Sequence, residues 1–191
     1  MSGPTKKGKC SMNKNNYVWY VCYGSNLCFE RFMCYITGQP SREYNVDAGN
    51  PCNNTNPPIQ SIKIQIPFEL YFANSSRRWS GGSVAFIDEN MIGETICRAY
   101  LITEEQYLHV KKSEGDWYER EVPLPPIDGI PAKTFTNDYR FKSFHPVSDL
   151  YRKVIIDGLQ EIGLTNEEAI KYFQEKLEKS ILYFKKYGRN Q

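Results

Sequence analysis

Apolar and polar positions divide the chain into a strand-rich first two-thirds and a helical end. Tyr17 to Tyr23 is continuously β-branched or aromatic apart from one cysteine, the pattern of a strand buried on both faces. It stops at Gly24-Ser25-Asn26, after which Leu27, Glu30, Arg31, Cys34 and Tyr35 recur at helical spacing up to Thr37-Gly38, where glycine suits a helix C-terminus. The order is strand, tight turn, helix. Residues 38–60, rich in Pro, Gly and Asn, show no element pattern and read as a tolerated insertion or a lid. Ile62 to Ile66 alternates strictly, and Phe68 to Ala73, Gly82 to Ile87 and Thr95 to Ile102 read as further strands separated by turn clusters. Thr103-Glu104-Glu105-Gln106 has the form of a capping box opening a helix to about Lys112, with Ser113-Glu114-Gly115-Asp116 as its exit. Extended structure returns at Tyr118 to Leu124, Thr134 to Thr136 and Tyr139 to Phe144. Leu150, Val154, Gly158 and Ile162 then share one helical face, and Thr165-Asn166-Glu167-Glu168 opens a last helix carrying Ile170, Phe173, Leu177, Ile181 and Phe184. Strands and helices are interspersed without doubly wound alternation, so the class is α+β around a mostly β core.

Composition narrows the function. A length of 191 residues with 40% hydrophobic and 14% aromatic residues suits one domain with a real core, expected over 17–187, after a disordered arm at 1–16. Lys+Arg 24 against Asp+Glu 22 leaves +2, with no basic run of the kind that grips nucleic acid. The longest apolar stretch, Tyr17 to Tyr23, is far short of the roughly 20 residues of a membrane span, and no secretory leader pattern precedes it. A cytoplasmic protein without membrane or nucleic-acid partners is the expectation, although Asn53-Asn54-Thr55 and Asn74-Ser75-Ser76 both fit the glycosylation acceptor pattern. The cysteines Cys10, Cys22, Cys28, Cys34, Cys52 and Cys97 read as reduced structural thiols, since a chain of this size needs no disulfide scaffold. No metal-ligand spacing is present, and His109 and His145 stand far apart beside no partner of ligand type.

Three places could carry chemistry. Gly24-Ser25-Asn26, at a strand-to-helix turn, presents unpaired backbone N–H groups suited to a carboxylate, phosphate or oxyanion; an ordinary Asn- or Ser-capped turn looks the same. Glu114, at a helix end before Trp117 and Tyr118, is a carboxylate whose pKa an aromatic setting could raise into the range of a general acid or base; a solvated helix-end glutamate is the plain alternative. The Arg77-Arg78 pair beside Trp79 could grip an anion or could be a solvated turn.

Tyr20-Val21-Cys22-Tyr23-Gly24-Ser25-Asn26-Leu27 resembles the Y-x-x-Y-G-S-N-[LM] signature of the γ-glutamylcyclotransferase-like family, and Glu114-Gly115 with Tyr118 resembles that family's E-G-x-x-Y segment. Trp79-Ser80-Gly81-Gly82 is similar to its W-x-G-G segment. Pro146 to Tyr151 is similar to its P-S-x-x-Y stretch. The departures are Cys22, where the family often has alanine, and the long Asn/Pro-rich loop from Asn45 to Ser61.

The resemblance implies a mixed β-barrel flanked by helices and an enzyme without metal or organic cofactor. In that family the α-amine of a γ-glutamyl group attacks its own γ-carbonyl, closing 5-oxoproline and releasing an amine. It further implies Glu114 as general acid/base, with Tyr20, Tyr23, Gly24, Ser25, Asn26, Leu27, Tyr118 and Tyr151 around a small-molecule γ-glutamyl substrate. Two readings stand beside it. One is a binding or regulatory module for a small carboxylate on the same fold; the other is a thiol acyltransferase using Cys22 or Cys28, which burial of the thiol and the lack of a nearby histidine disfavour.

Overall fold

The computed structural model describes residues 16–44, 49–137 and 143–187. Within them, strands β1 (Tyr17–Cys22), β2 (Gln60–Ser76), β3 (Gly82–Thr103), β4 (Arg120–Ile127) and β5 (Ile130–Thr136) form one sheet in the order β2-β3-β1-β5-β4. Helix α1 (Phe29–Thr37) follows β1, α2 (Glu104–Glu114) follows β3, and α3 (Asp149–Glu161) and α4 (Asn166–Tyr187) close the chain. The sheet is mixed: β1 runs antiparallel to β3 and parallel to β5.

The continuous apolar run of β1 has the expected cause. Trp19, Val21 and Tyr23 enter the core shared with α3 and α4, while Val18, Tyr20 and Cys22 enter a second core with Phe32, Tyr35 and Ile36 of α1 and Tyr107 and Val110 of α2. With side chains alternating at period two, a strand covered on both sides needs apolar residues at every position.

The sequence segments Ile62–Ile66, Phe68–Ala73, Gly82–Ile87 and Thr95–Ile102 are not four strands but the halves of two. They build the long β2–β3 hairpin, which is interrupted by register shifts around Ile66 to Glu69. Phe68 pairs with Ile92 and Glu69 with Asp88, so the intervening residues of β3 bulge out. At Gly93 an added Cβ would meet Glu69 Cα at 2.6 Å, so only glycine allows the strands to approach there.

The sheet is open rather than a closed barrel. The far half of the hairpin curls toward β5 without joining its ladder. Thr136 Oγ1 bridges the gap, donating to Ile87 O at 2.9 Å and accepting from Ile87 N–H at 3.2 Å. A side chain thus stands where backbone pairing would close a barrel.

Between α1 and β2 the described residues form no helix or strand, and they are pinned to neighbouring helices. Cys52 N–H donates to Ile36 O at 3.0 Å. Gln106 completes the Thr103 capping box and also donates through Nε2 to Asn54 O and Asn56 O, at 2.9 and 2.8 Å. Of the expected strand at Tyr139 to Phe144, residues 139–142 lie outside the described residues, and Ser143 and Phe144 belong to no strand. The N-terminal arm to residue 15 likewise lies outside them, and with it Cys10. Among the described residues no helix is long and apolar enough to cross a membrane.

Candidate active site

Chain geometry at two turns brings the predicted residues together. β1 leaves its ladder after Cys22, and residues Ser25–Leu27 form a single 3-10 turn closed by Leu27 N–H to Gly24 O at 3.0 Å and Cys28 N–H to Ser25 O at 3.2 Å. The N–H groups of Gly24, Ser25 and Asn26 donate to no backbone carbonyl of the described residues; that of Ser25 lies beside the Tyr151 hydroxyl. On the other side α2 ends at Glu114, and Gly115, at φ 77°, turns the chain into the short turn Asp116–Tyr118. A carboxylate at a helix C-terminus has the wrong sign for the helix dipole, so helix stability does not account for Glu114.

The two turns meet through Asn26. Its Nδ2 donates to Glu114 Oε1 at 2.8 Å and lies 2.9 Å from the Tyr20 hydroxyl, while its carbonyl accepts from Tyr100 OH at 3.0 Å. The turn is also clamped from below. Arg98 Nη1 donates to Leu27 O at 2.9 Å and pairs with Glu161, whose carboxylate accepts from Phe29 N–H at the start of α1. α3 crosses the turn at Gly158, where a Cβ would meet Cys28 N at 2.3 Å and Leu27 C at 2.4 Å.

Above this turn lies a cavity of about 320 Å³, at the small end of ligand pockets. Tyr20, Tyr23, Gly24, Ser25, Asn26, Glu114, Tyr118 and Tyr151 all contribute to its wall. Leu27 does not: it is fully buried and packs under Gly158, so its part is structural. Tyr118 lies in the turn before β4 rather than in extended structure, and its hydroxyl is committed to Ala85 O at 2.8 Å. Tyr23 OH donates to Phe135 O at 2.8 Å. The Tyr151 hydroxyl accepts from Ala85 N–H at 3.0 Å, which leaves its own proton without a described acceptor. Burial raises the pKa of all four of these tyrosines, and the Glu114 charge adds to the rise; at neutral pH they are hydroxyl donors, not phenolates.

Comparison with known proteins bears on the fold. No family model matches the chain. It is 29% identical over 208 residues to histone deacetylase 5 of Arabidopsis thaliana, an alignment covering 86% of this chain but 31% of that protein. The chain thus spans about a third of its curated relative's length. Among solved structures it superposes on a γ-glutamyl cyclotransferase with a TM-score of 0.58 and 21% identity, covering 81% of this chain and 85% of that one. An uncharacterised Homo sapiens protein superposes at 0.57 and 24% identity, over 82% and 86% of the two chains. YkqA from Bacillus subtilis gives 0.53 and 19%, over 84% of this chain and 54% of that one. The fold is γ-glutamylcyclotransferase-like.

On this γ-glutamylcyclotransferase-like fold, Thr134 and Tyr35 escape sequence reading, whereas Arg78 and Trp79 come from the Arg77-Arg78-Trp79 segment that the sequence offers as a possible anion grip. Thr134 of β5 contributes to the wall, and its Oγ1, like Asn26 Oδ1, is buried without a hydrogen-bond partner among the described residues; buried polar atoms without partners are uncommon enough to suggest a ligand or water. Trp79, whose ring is tilted at 54° against that of Tyr151 with centroids 4.8 Å apart, and Arg78 beside it both line the cavity, whereas Arg77 does not. Tyr35 of α1 is buried, its hydroxyl beside the Glu114 carboxylate and accepting from Arg78 Nη1 at 2.8 Å. Cys22 also reaches the wall, but burial pushes its thiol far above the usual range, and that of Cys28 to about 11. Neither is set up as a thiolate nucleophile.

Proposed function

We propose that this chain is a γ-glutamyl cyclotransferase in which Glu114 carries the proton. The reading rests on one contact, the 2.8 Å bond from Asn26 Nδ2 to Glu114 Oε1. It joins a turn whose Gly24, Ser25 and Asn26 N–H groups meet no backbone carbonyl among the described residues to a carboxylate on the wall of a cavity sized for a small molecule.

The substrate's α-ammonium must lose a proton before it can attack, and Glu114 accepts it. The amine nitrogen then bonds to the γ-carbonyl carbon. The oxyanion that forms is stabilised by the N–H groups of Ser25 and Asn26 and by the Tyr151 hydroxyl, donors of a kind worth about 3–4 kcal/mol each. As the bond from the γ-carbon to the leaving nitrogen breaks, Glu114 returns its proton to that nitrogen, and the second proton shed by the attacking nitrogen leaves with the amine as its ammonium form. The products are 5-oxoproline and a free amine, and the balance needs no water, oxidant or cofactor. Because attack is internal, holding the glutamyl chain bent is itself a large part of the rate.

The test is release of 5-oxoproline, followed by mass spectrometry, from a panel of γ-glutamyl amino acids and amines. Glu114→Gln keeps the shape of the side chain and removes the base, so kcat should fall at least about 100-fold. A module that only binds carboxylates would release no 5-oxoproline and would keep its affinity in the glutamine variant.

A further inference from the structure

We propose that Arg78 reads the leaving group: its guanidinium pairs with a carboxylate on the departing amine, so that γ-glutamyl amino acids are preferred over γ-glutamyl amines. This rests on the cyclotransferase reading and adds its specificity.

Arg78 is the one cationic side chain among the described residues lining the cavity. It sits in the short turn between β2 and β3 (Arg77–Trp79). Of its five N–H donors, one is committed, to Tyr35 OH at 2.8 Å. It forms no ion pair among the described residues, although Glu114 and Asp116 share the cavity wall. An arginine held by one neutral bond in a polar cavity is free to receive a carboxylate through the rest of its fork.

Its position follows from Tyr35. The buried phenol ring has the Arg31 guanidinium carbon 4.1 Å from its centroid and that of Arg78 at 5.8 Å. The Tyr35 hydroxyl touches both Arg78 and Glu114, so Arg78 stands one hydroxyl away from the carboxylate that handles the proton. The departing nitrogen must lie within hydrogen-bond reach of Glu114 to receive that proton. In an α-amino acid the carboxylate is attached two bonds from that nitrogen, which puts it in the zone Arg78 commands. An amine without a carboxylate leaves the guanidinium unanswered.

A matched pair isolates the effect, because ethylamine is alanine without its carboxylate. For γ-glutamylalanine and γ-glutamylethylamine, the ratio of the two kcat/KM values should exceed one in the wild type and fall about 10–100-fold in Arg78→Met, the range of a charge-assisted contact. Arg78→Lys should restore part of the ratio. Tyr35→Phe, which removes the one bond holding Arg78, should lower turnover of both substrates and reduce the ratio by less than Arg78→Met does. Equal losses on both substrates in Arg78→Met would overturn the proposal, since Arg78 would then serve the shared glutamyl end or Tyr35. A wild-type ratio at or below one would also overturn it. If the wild type converts neither compound nor any other γ-glutamyl compound in the panel, the cyclotransferase reading itself has failed, and the proposal falls with it before any variant is made.

Discussion

Gly158→Ala tests whether α3 positions the site turn. The added Cβ would lie 2.3 Å from Cys28 N and 2.4 Å from Leu27 C, both backbone atoms that cannot rotate away. Restoring ordinary contact near 3.4 Å requires the helix and the turn to separate by about 1 Å. Two effects oppose one another. Alanine in mid-helix gains about 1 kcal/mol over glycine, whereas overpacking costs about 1–3 kcal/mol, and more when backbone must move. The clash wins by up to about 2 kcal/mol, which for a chain of this size lowers Tm by up to about 8 °C. Turnover should suffer more than stability, because Ser25 and Asn26 ride on the displaced turn and a 1 Å misplacement costs about 100-fold. The assay pairs thermal unfolding with 5-oxoproline release, and Gly49→Ala, which meets nothing within 4 Å, is the control. A Gly158→Ala protein with unchanged Tm and unchanged turnover would refute this account of the turn.

Three further outcomes follow. Asn26→Ala removes the donor to Glu114 and to the Tyr20 hydroxyl and should lower kcat about 10–100-fold, read against circular dichroism to confirm folding. Lys176→Ala breaks a buried ion pair with Glu69 at 2.8 Å, remote from the cavity; it should cost about 3 kcal/mol, the low end for such pairs because Lys179 still reaches Glu69 at 3.2 Å, and leave kcat alone. Burial raises the thiols of Cys28 and Cys52 from 9.0 to about 11; since the folded state holds these protons longer than the unfolded state, their contribution is intact below pH 9 and is lost as pH rises toward 11. Urea midpoints should therefore decline across that window, and less steeply in the Cys28→Ala/Cys52→Ala double variant.

What the sequence made legible was local. β1 and its turn could be read because Tyr17 to Tyr23 is apolar or aromatic on every residue and then stops at Gly24-Ser25-Asn26, and α2 because Thr103 and Gln106 cap each other. Pro67 and the stretch from Asp88 to Gly93 look like strand breaks, yet they are irregularities inside two long strands, a distinction that depends on pairing across the hairpin. Closure of the sheet was equally hidden, since it turns on whether Thr136 offers Ile87 a side chain or a backbone ladder. At the site, Glu114 and the Tyr-Gly-Ser-Asn turn carry motif signals, but Tyr35, Arg78 and Thr134 reach the cavity or Glu114 only through tertiary packing of α1, a hairpin turn and an inner strand. Arg77-Arg78 reads in sequence as either an anion grip or a solvated turn, and the fold separates its members, bringing Arg78 alone to the cavity. Leu27 shows the converse: it belongs to the motif and serves the core.

The central claim is that the substrate's own amine, deprotonated by Glu114, is the nucleophile. Turnover of a γ-glutamyl amino acid in ¹⁸O-labelled water, with the products weighed by mass spectrometry, tests it most directly. The account predicts unlabelled 5-oxoproline, formed by the wild type and at least about 100-fold more slowly by Glu114→Gln. Glutamate carrying ¹⁸O, or 5-oxoproline formed equally well without Glu114, would contradict it.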